Sequence, residues 1–233
     1  LNGRSTDQAG TDTRNRLVEA ASRLFHVRGY GATGIATVLK AARVNTGSLY
    51  HAFDGKDAVL IGVLERHLER LGPTVVDPVE GTADDPIERV FALFALYRRN
   101  LSMSGFRDGC PVGNLALEIG DELPEARRLI EQYFGKWTDA VRRWLEAAGD
   151  RLPADLDRAG LSRHVLSLLQ GALMQARAAG GPEAFDTTVD QLRGHVRLLE
   201  ERACRERGEE PNAGTGGADD RRQAPRRLEW RSW

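Results

Sequence analysis

Apolar residues recur along this chain with the period of an α-helix, and no segment alternates with the period of a strand. Leu17, Val18, Ala21, Leu24 and Phe25 fall on one stripe. Val59, Leu60, Val63, Leu64 and Leu68 repeat the pattern, and Val189, Leu192, Val196 and Leu199 close it at 3-4-3 spacing. Such spacing gives each helix one apolar face that another helix must cover. No apolar run reaches the roughly 18 residues that a membrane-spanning helix needs, so the faces must meet one another. The expected fold is all-α, and 233 residues suffice for one large domain or two small ones.

Punctuation residues divide the chain. A first helix, Thr13–Arg28, stops at Gly29. Short helices start after Thr33 and at Asn45, both good N-caps. Asp54, with Asp57 three residues on, opens a longer helix that ends at Gly72-Pro73. Residues 72–84, with Gly72, Pro73, Pro78 and Gly81, read as a linker. Asp85-Pro86-Ile87-Glu88 then offers an N-cap, a first-turn proline and a capping-box glutamate for a helix to about Met103. A break over 104–109 precedes a short helix, Pro111–Ile119, and three long helices follow over 124–148, 156–179 and 182–204. Residues 1–12 are expected to be a flexible N-terminus. Residues 205–233 are expected to be a disordered tail, too poor in apolar side chains to offset their ordering entropy.

The unit over 13–71 is the informative one. Its second and third helices are short and joined by a tight turn. That is a helix-turn-helix, whose second member can enter the roughly 12 Å major groove of DNA. At the start of that helix, Asn45–His51, the small polar residues Thr46, Gly47 and Ser48 and free backbone N–H groups can approach bases or phosphates. Tyr50 and His51 are placed for phosphate contact, and Lys56 can neutralise a phosphate from the next helix. Thr33 can cap its helix and bond a phosphate, and Arg43 can reach the DNA backbone from the turn. Leu49 and Phe53 read as core. The competing interpretation is that Tyr50 and His51 only cover the domain surface.

A net charge of −1 speaks against a nucleic-acid binder, but the total conceals a distribution. Residues 1–71 hold 10 basic and 7 acidic side chains, whereas residues 72–204 hold 16 and 21. The positive excess sits on the helix-turn-helix unit.

The residues Leu24-Phe25, Arg28-Gly29-Tyr30, Thr33, Ala41-Ala42, Val44 to His51, Phe53 and Lys56-Asp57 resemble, in order and spacing, the N-terminal domain of TetR-family transcriptional regulators. The resemblance covers nearly all of residues 13–65. It implies a domain that binds double-stranded operator DNA as part of a homodimer, and C-terminal helices over 85–204 that bind a small-molecule inducer and dimerise. Three positions depart from the family pattern. Gly34 stands where Ser or Thr is common, Leu39 where a small Ala is usual, and Arg43 where Gly is common in the turn. A turn that needs positive φ would strain an arginine. The resemblance also implies a four-helix dimer interface from the last two helices. Leu168, Leu169, Ala172, Val189, Leu192, Val196 and Leu199 are its expected apolar residues, with Gly171 and Gly194 allowing close approach. A two-fold dimer would read a near-palindromic operator with half-sites roughly 34 Å apart or a multiple of that.

A second constellation is Gly109-Cys110-Pro111-Val112-Gly113-Asn114 with Glu118. It resembles the C-terminal domain of a TetR-family subgroup. Pro111 at the first helical position puts Cys110 at or beside the N-cap, where the helix terminus and nearby Arg107 would lower a thiol pKa. Cys110 is then either an oxidant- or electrophile-sensing thiol or a small buried hydrophobe. Asn114, polar on an apolar helix, is expected to face a ligand cavity with Phe106, Cys110, Tyr133, Trp137, Gln170 and Met174.

Other chemistries find no support. Gly29-Tyr30-Gly31-Ala32-Thr33-Gly34 matches a dinucleotide fingerprint in letters but lacks the strand such a motif must follow. The five histidines make no metal-binding or Glu-x-x-His pattern, and no nucleophile elbow occurs. No cofactor, metal or catalytic residue is expected. A helical enzyme or carrier is the remaining alternative, and missing catalytic dyads argue against it. Two cysteines exclude a disulfide scaffold, and the polar stretch from Leu1 to Asn15 offers no signal peptide. A cytoplasmic regulator without membrane association is expected.

Overall fold

The structure is a computed structural model and describes residues 3–209. Among them there are ten α-helices and no strand. Helix α1 (Gly3–Arg28), α2 (Ile35–Ala42) and α3 (Thr46–Ala52) form the helix-turn-helix unit. Helix α4 (Lys56–Leu71) leaves it, and α5 (Asp77–Thr82), α6 (Pro86–Met103), α7 (Pro111–Ala116), α8 (Pro124–Ala147), α9 (Arg158–Ala179) and α10 (Glu183–Glu206) complete the chain. The expectation for the tail beyond Glu209 lies outside the described residues.

Two boundaries differ from expectation. Helix α1 begins at Gly3 rather than Thr13, so most of the expected flexible N-terminus continues it. The expected linker is helical: a π-turn over Gly72–Val76 joins α4 to α5. Pro73 and Pro78 each sit at the start of their segment, where the hydrogen-bond register of the continuous helix changes from α to π and back. Val79 in the supposed linker is 2% exposed, and the Trp144 indole donates to Glu80 at 2.8 Å, tying α5 to α8. Asp54 does not cap α4. Gly55 is the N-cap, at φ 127°, with no side-chain hydrogen bond.

Apolar burial is continuous across both units. One cluster runs from Leu17 and Phe25 of α1 through Val63 and Leu64 of α4 to Trp137 and Trp144 of α8 and Leu192 of α10. Helix α4 packs on both α1 and α8, so it is shared by both units. At Gly62 a Cβ would stand 3.1 Å from both Phe53 and Val18, so the absent side chain lets α4 lie close on α1. Polar clamps reinforce the larger unit. Arg98 makes a bidentate pair with Asp186 at 2.6 and 2.8 Å, and Arg193 another with Glu88 at 2.8 and 3.1 Å. Both tie α6 to α10.

This geometry assigns the apolar seam of α9 and α10 to the inside of the protomer. Leu169, Ala172, Leu192 and Val196 are 0–4% exposed within one chain, and Leu168, Val189 and Leu199 pack against the same core. The expectation that these residues form the dimer surface is corrected for the four buried ones. A 3-4 spacing demands a helical partner, and α6, α8 and α10 or α9 of the same chain supply it. The outward face carries Met174 on α9 and Leu198 on α10, 60% and 58% exposed.

Candidate DNA-binding face and ligand cavity

The turn before α3 is built by two local devices. Helix α2 ends at Arg43 in the left-handed conformation, φ 54° and ψ 48°, and the N–H of Val44 reaches back to Leu39 O at 3.1 Å. An L-residue pays roughly 1 kcal/mol or more for that conformation, so the strain expected of a non-glycine residue here is present. Asn45 then caps α3, its Oδ1 accepting from Ser48 N–H at 2.8 Å. Leu49 and Phe53 are buried, as expected of core. Arg14 of α1 stacks over the Phe53 ring at 4.2 Å and donates to Ala52 O, fixing the far end of α3.

One face of this unit is left open. Arg43, Asn45, Thr46, Gly47, Tyr50 and His51 are exposed, with Tyr50 at 63%, and Ser48 and Lys56 are half-buried. Lys56 Nζ stands 4.0 Å over the ring of Tyr30, whose hydroxyl donates to Asp57. Burial and that carboxylate both push the Tyr30 phenol above its ordinary pKa. Thr33 does not belong to the face. It is 1% exposed, and its hydroxyl donates to Gly29 O at 2.7 Å. It therefore neither caps α2 nor reaches a phosphate; Gly34 is the N-cap and offers no side chain.

Helix α7 lies between the two units. At its N-terminus Cys110 is the cap, Sγ accepting from Gly113 N–H at 3.3 Å. The thiol is 2% exposed, and burial outweighs its hydrogen bonds and raises its pKa. The expected activating environment is thus reversed, because desolvation penalises a thiolate more than the helix terminus favours it. Just before the cap, His26 of α1 donates from Nε2 to Gly109 O at 3.0 Å. Just beyond the helix, the Glu118 carboxylate accepts from Gly31 N–H at 2.9 Å. A Cβ on Gly29, itself at φ 86°, would lie 2.7 Å from Glu118 Oε1. The glycines that mimic a dinucleotide fingerprint therefore make room for a carboxylate of the larger unit.

Between α7 and α9 is a cavity of about 340 Å³ lined by Cys110, Asn114, Gln170 and Met174 among others. Four of the seven expected cavity residues are thus brought together. The other three are not in its wall. Trp137 is 1% and Tyr133 4% exposed, packed in the core behind Cys110, and Phe106 turns the chain after α6 at φ 61°. Tyr133 instead borders a second cavity of about 360 Å³, between the units, with His26, His67, Arg70 and Asp108. Sequence reasoning missed His26 and His67, which carry no local motif. Glu118 stood in the second constellation without an assigned contact. Among the described residues, no cluster could hold a metal ion, and no helix is long and apolar enough to cross a membrane.

Comparison with known proteins agrees with this layout. Residues 17–63 match the family of bacterial regulatory proteins called tetR, and residues 86–191 match the C-terminal domain of LmrA/YxaF-like transcriptional regulators. An uncharacterised HTH-type transcriptional regulator of Mycobacterium tuberculosis is 30% identical over 77% of this chain and 92% of its own. The HTH-type transcriptional repressor DhaR of a Mycobacterium species is 25% identical over 76% and 89%. Among solved structures, a TetR-family transcriptional regulator of Streptomyces coelicolor superposes with a TM-score of 0.70 at 26% identity, covering 86% of this chain and 98% of that one.

Proposed function

The chain belongs to the TetR family of bacterial regulatory proteins, whose members are transcriptional regulators rather than enzymes, and we propose that it is a repressor released from its operator by a small molecule. The observation that carries this reading is the position of α7. Its residues Gly113, Asn114 and Ala116 wall the cavity, and the segments flanking it are hydrogen-bonded to the helix-turn-helix unit at His26 and Gly31. A molecule that displaces α7 must load or break those bonds, and the effect on DNA affinity equals its preference for the displaced state.

The proposed DNA contacts follow from exposure. Thr46, Gly47 and Ser48 meet base edges or phosphates at the start of α3, Tyr50, His51, Lys56 and Arg43 meet phosphates, and Asn45 holds the helix end in place. Two copies join through the outward faces of α9 and α10, around Met174, Gly171, Gly194 and Leu198. Their two recognition helices would read a near-palindromic site. Repression rather than activation is supported by the relative named a repressor. Acting on operator DNA places the protein in the cytoplasm. Buried Cys110 favours a packing and capping role over a sensing thiol.

The test is fluorescence anisotropy with the intact chain and DNA upstream of its own gene. Saturable binding with a two-fold footprint, lost in Tyr50→Ala, and release by a small molecule are expected. Binding that no compound relieves would leave a DNA-binding protein that is not inducible.

A further inference from the structure

The exposed arc of α3 lacks the side chains that read a purine with two hydrogen bonds. In the major groove a guanine is paired bidentately by arginine or lysine, an adenine by asparagine or glutamine, and a cytosine is met by a carboxylate. From Thr46 to Ala52 the chain has none of these residues. Asn45 stands beside the helix, but its Oδ1 already accepts from Ser48 N–H at 2.8 Å. An adenine pair needs that oxygen together with the amide nitrogen, so Asn45 could read adenine only by uncapping α3. Arg43 ends α2 and belongs to the turn rather than to α3.

What the arc offers instead is closeness. Gly47 is exposed among Thr46, Tyr50 and His51. Its backbone is helical without a positive φ, and a Cβ there would meet nothing nearer than Asn45 Oδ1 at 3.5 Å, an ordinary contact. Nothing in the fold calls for a glycine, which weakens a helix relative to alanine. The missing side chain suits a surface that α3 approaches from outside. Thr46 precedes it, exposed, with one methyl and one hydroxyl. Residues that open a recognition helix meet base edges. A threonine methyl suits the C5-methyl of thymine, which no other base presents in the major groove. We propose that α3 lies against the base edges at Gly47, and that Thr46 is a specificity-determining residue whose methyl packs on a thymine methyl in each half-site. This rests on the reading of the exposed face of α3 as the DNA contact. The hydroxyls of Thr46 and Ser48 add single hydrogen bonds, which a hydroxyl gives to more than one base.

The experiment selects duplexes with the intact chain from a randomised pool. Each thymidine of the selected site is then replaced by deoxyuridine, which removes only the methyl. One position in each half-site should lose about fourfold in affinity, the return of a single methyl group to water, and changing both half-sites together should cost about fifteenfold. Thr46→Ser keeps the hydroxyl and should bind the thymidine and deoxyuridine duplexes alike. Thr46→Val keeps the methyl and should retain the full difference. Gly47→Ala should raise the melting temperature of the free protein yet weaken binding of the selected duplex, and circular dichroism checks that all three variants fold. A site with no thymidine whose replacement matters, a penalty that survives Thr46→Ser, a penalty lost in Thr46→Val, or undiminished binding by Gly47→Ala would each overturn the proposal. Any of these with a specifically enriched site counts against the base contact alone, whereas a pool from which nothing is enriched would overturn the DNA-face reading with it.

Discussion

The Glu118 carboxylate and the Gly31 backbone N–H, 87 residues apart in sequence, meet at 2.9 Å and join the larger unit to the helix-turn-helix unit. Gly29 leaves room for the meeting, since a Cβ there would lie 2.7 Å from Glu118 Oε1 and the carboxylate would have to shift. Gly29→Ala should therefore destabilise the protein for two reasons, the positive φ and the collision. The backbone part is about 1–2 kcal/mol. In a Glu118→Ala background only that part should remain. Denaturant melts of the two single variants and the double variant check this, and additive losses would show that the two residues do not touch in solution.

Arg43 separates stability from DNA affinity. It occupies a left-handed turn position at φ 54°, where glycine is unstrained. Arg43→Gly should stabilise the free protein by about 0.5–1 kcal/mol, the relief of strain less the added entropy of the unfolded chain. The same change should weaken operator binding and lower the slope of log affinity against log salt by about 0.9, one phosphate contact. Thermal melts and a salt titration of DNA binding read the two effects independently.

Acid should destabilise the protein through His67. Burial first, then the neighbouring His26, Arg70 and Arg66, hold its pKa down at about 4. In the unfolded chain a histidine takes its proton near 6.5. Between these values the unfolded state binds more protons, so stability is full above pH 6.5 and falls as pH drops toward 4. The ring is only partly buried, so the loss is about 1–2 kcal/mol rather than the full linkage value. His67→Gln should flatten this window while leaving DNA binding at pH 7.5 intact. An unchanged pH profile in that variant would assign the acid sensitivity to other groups.

Two leucines on one helix should give opposite results. Leu198 is 58% exposed on the outward face of α10, and Leu192 is 2% exposed on its inward face. Leu198→Asp should yield folded monomers with weakened operator binding. Leu192→Asp should fail to fold, because it buries an unpaired charge. Light scattering and circular dichroism separate the two outcomes.

These residues mark the limits of what a sequence reveals. Asn45, Asp85 and Cys110 were legible as caps because a cap bonds an N–H two or three residues onward, within its own segment. Thr33 was not, since a threonine before a helix can cap it or fold back, and here it bonds Gly29 O. The seam of Val189, Leu192 and Val196 announced a helical partner but could not say whether that partner lay in the same chain or another. Prolines 73 and 78 read as breaks, yet the chain passes both within a continuous helix by changing its hydrogen-bond register. The contacts of His26 and Glu118 with residues 83 and 87 positions away leave no local trace at all.

Lys56 rests on the Tyr30 ring, which Asp57 and the edge of Phe25 in turn hold in place. A free lysine side chain samples many rotamers, and ordering it costs about 2 kcal/mol of entropy. In this protein much of that freedom is surrendered during folding. Were Lys56 to meet the phosphate proposed for it, its ammonium would arrive already aimed, and association there would be a docking of two rigid surfaces rather than the capture of a moving chain.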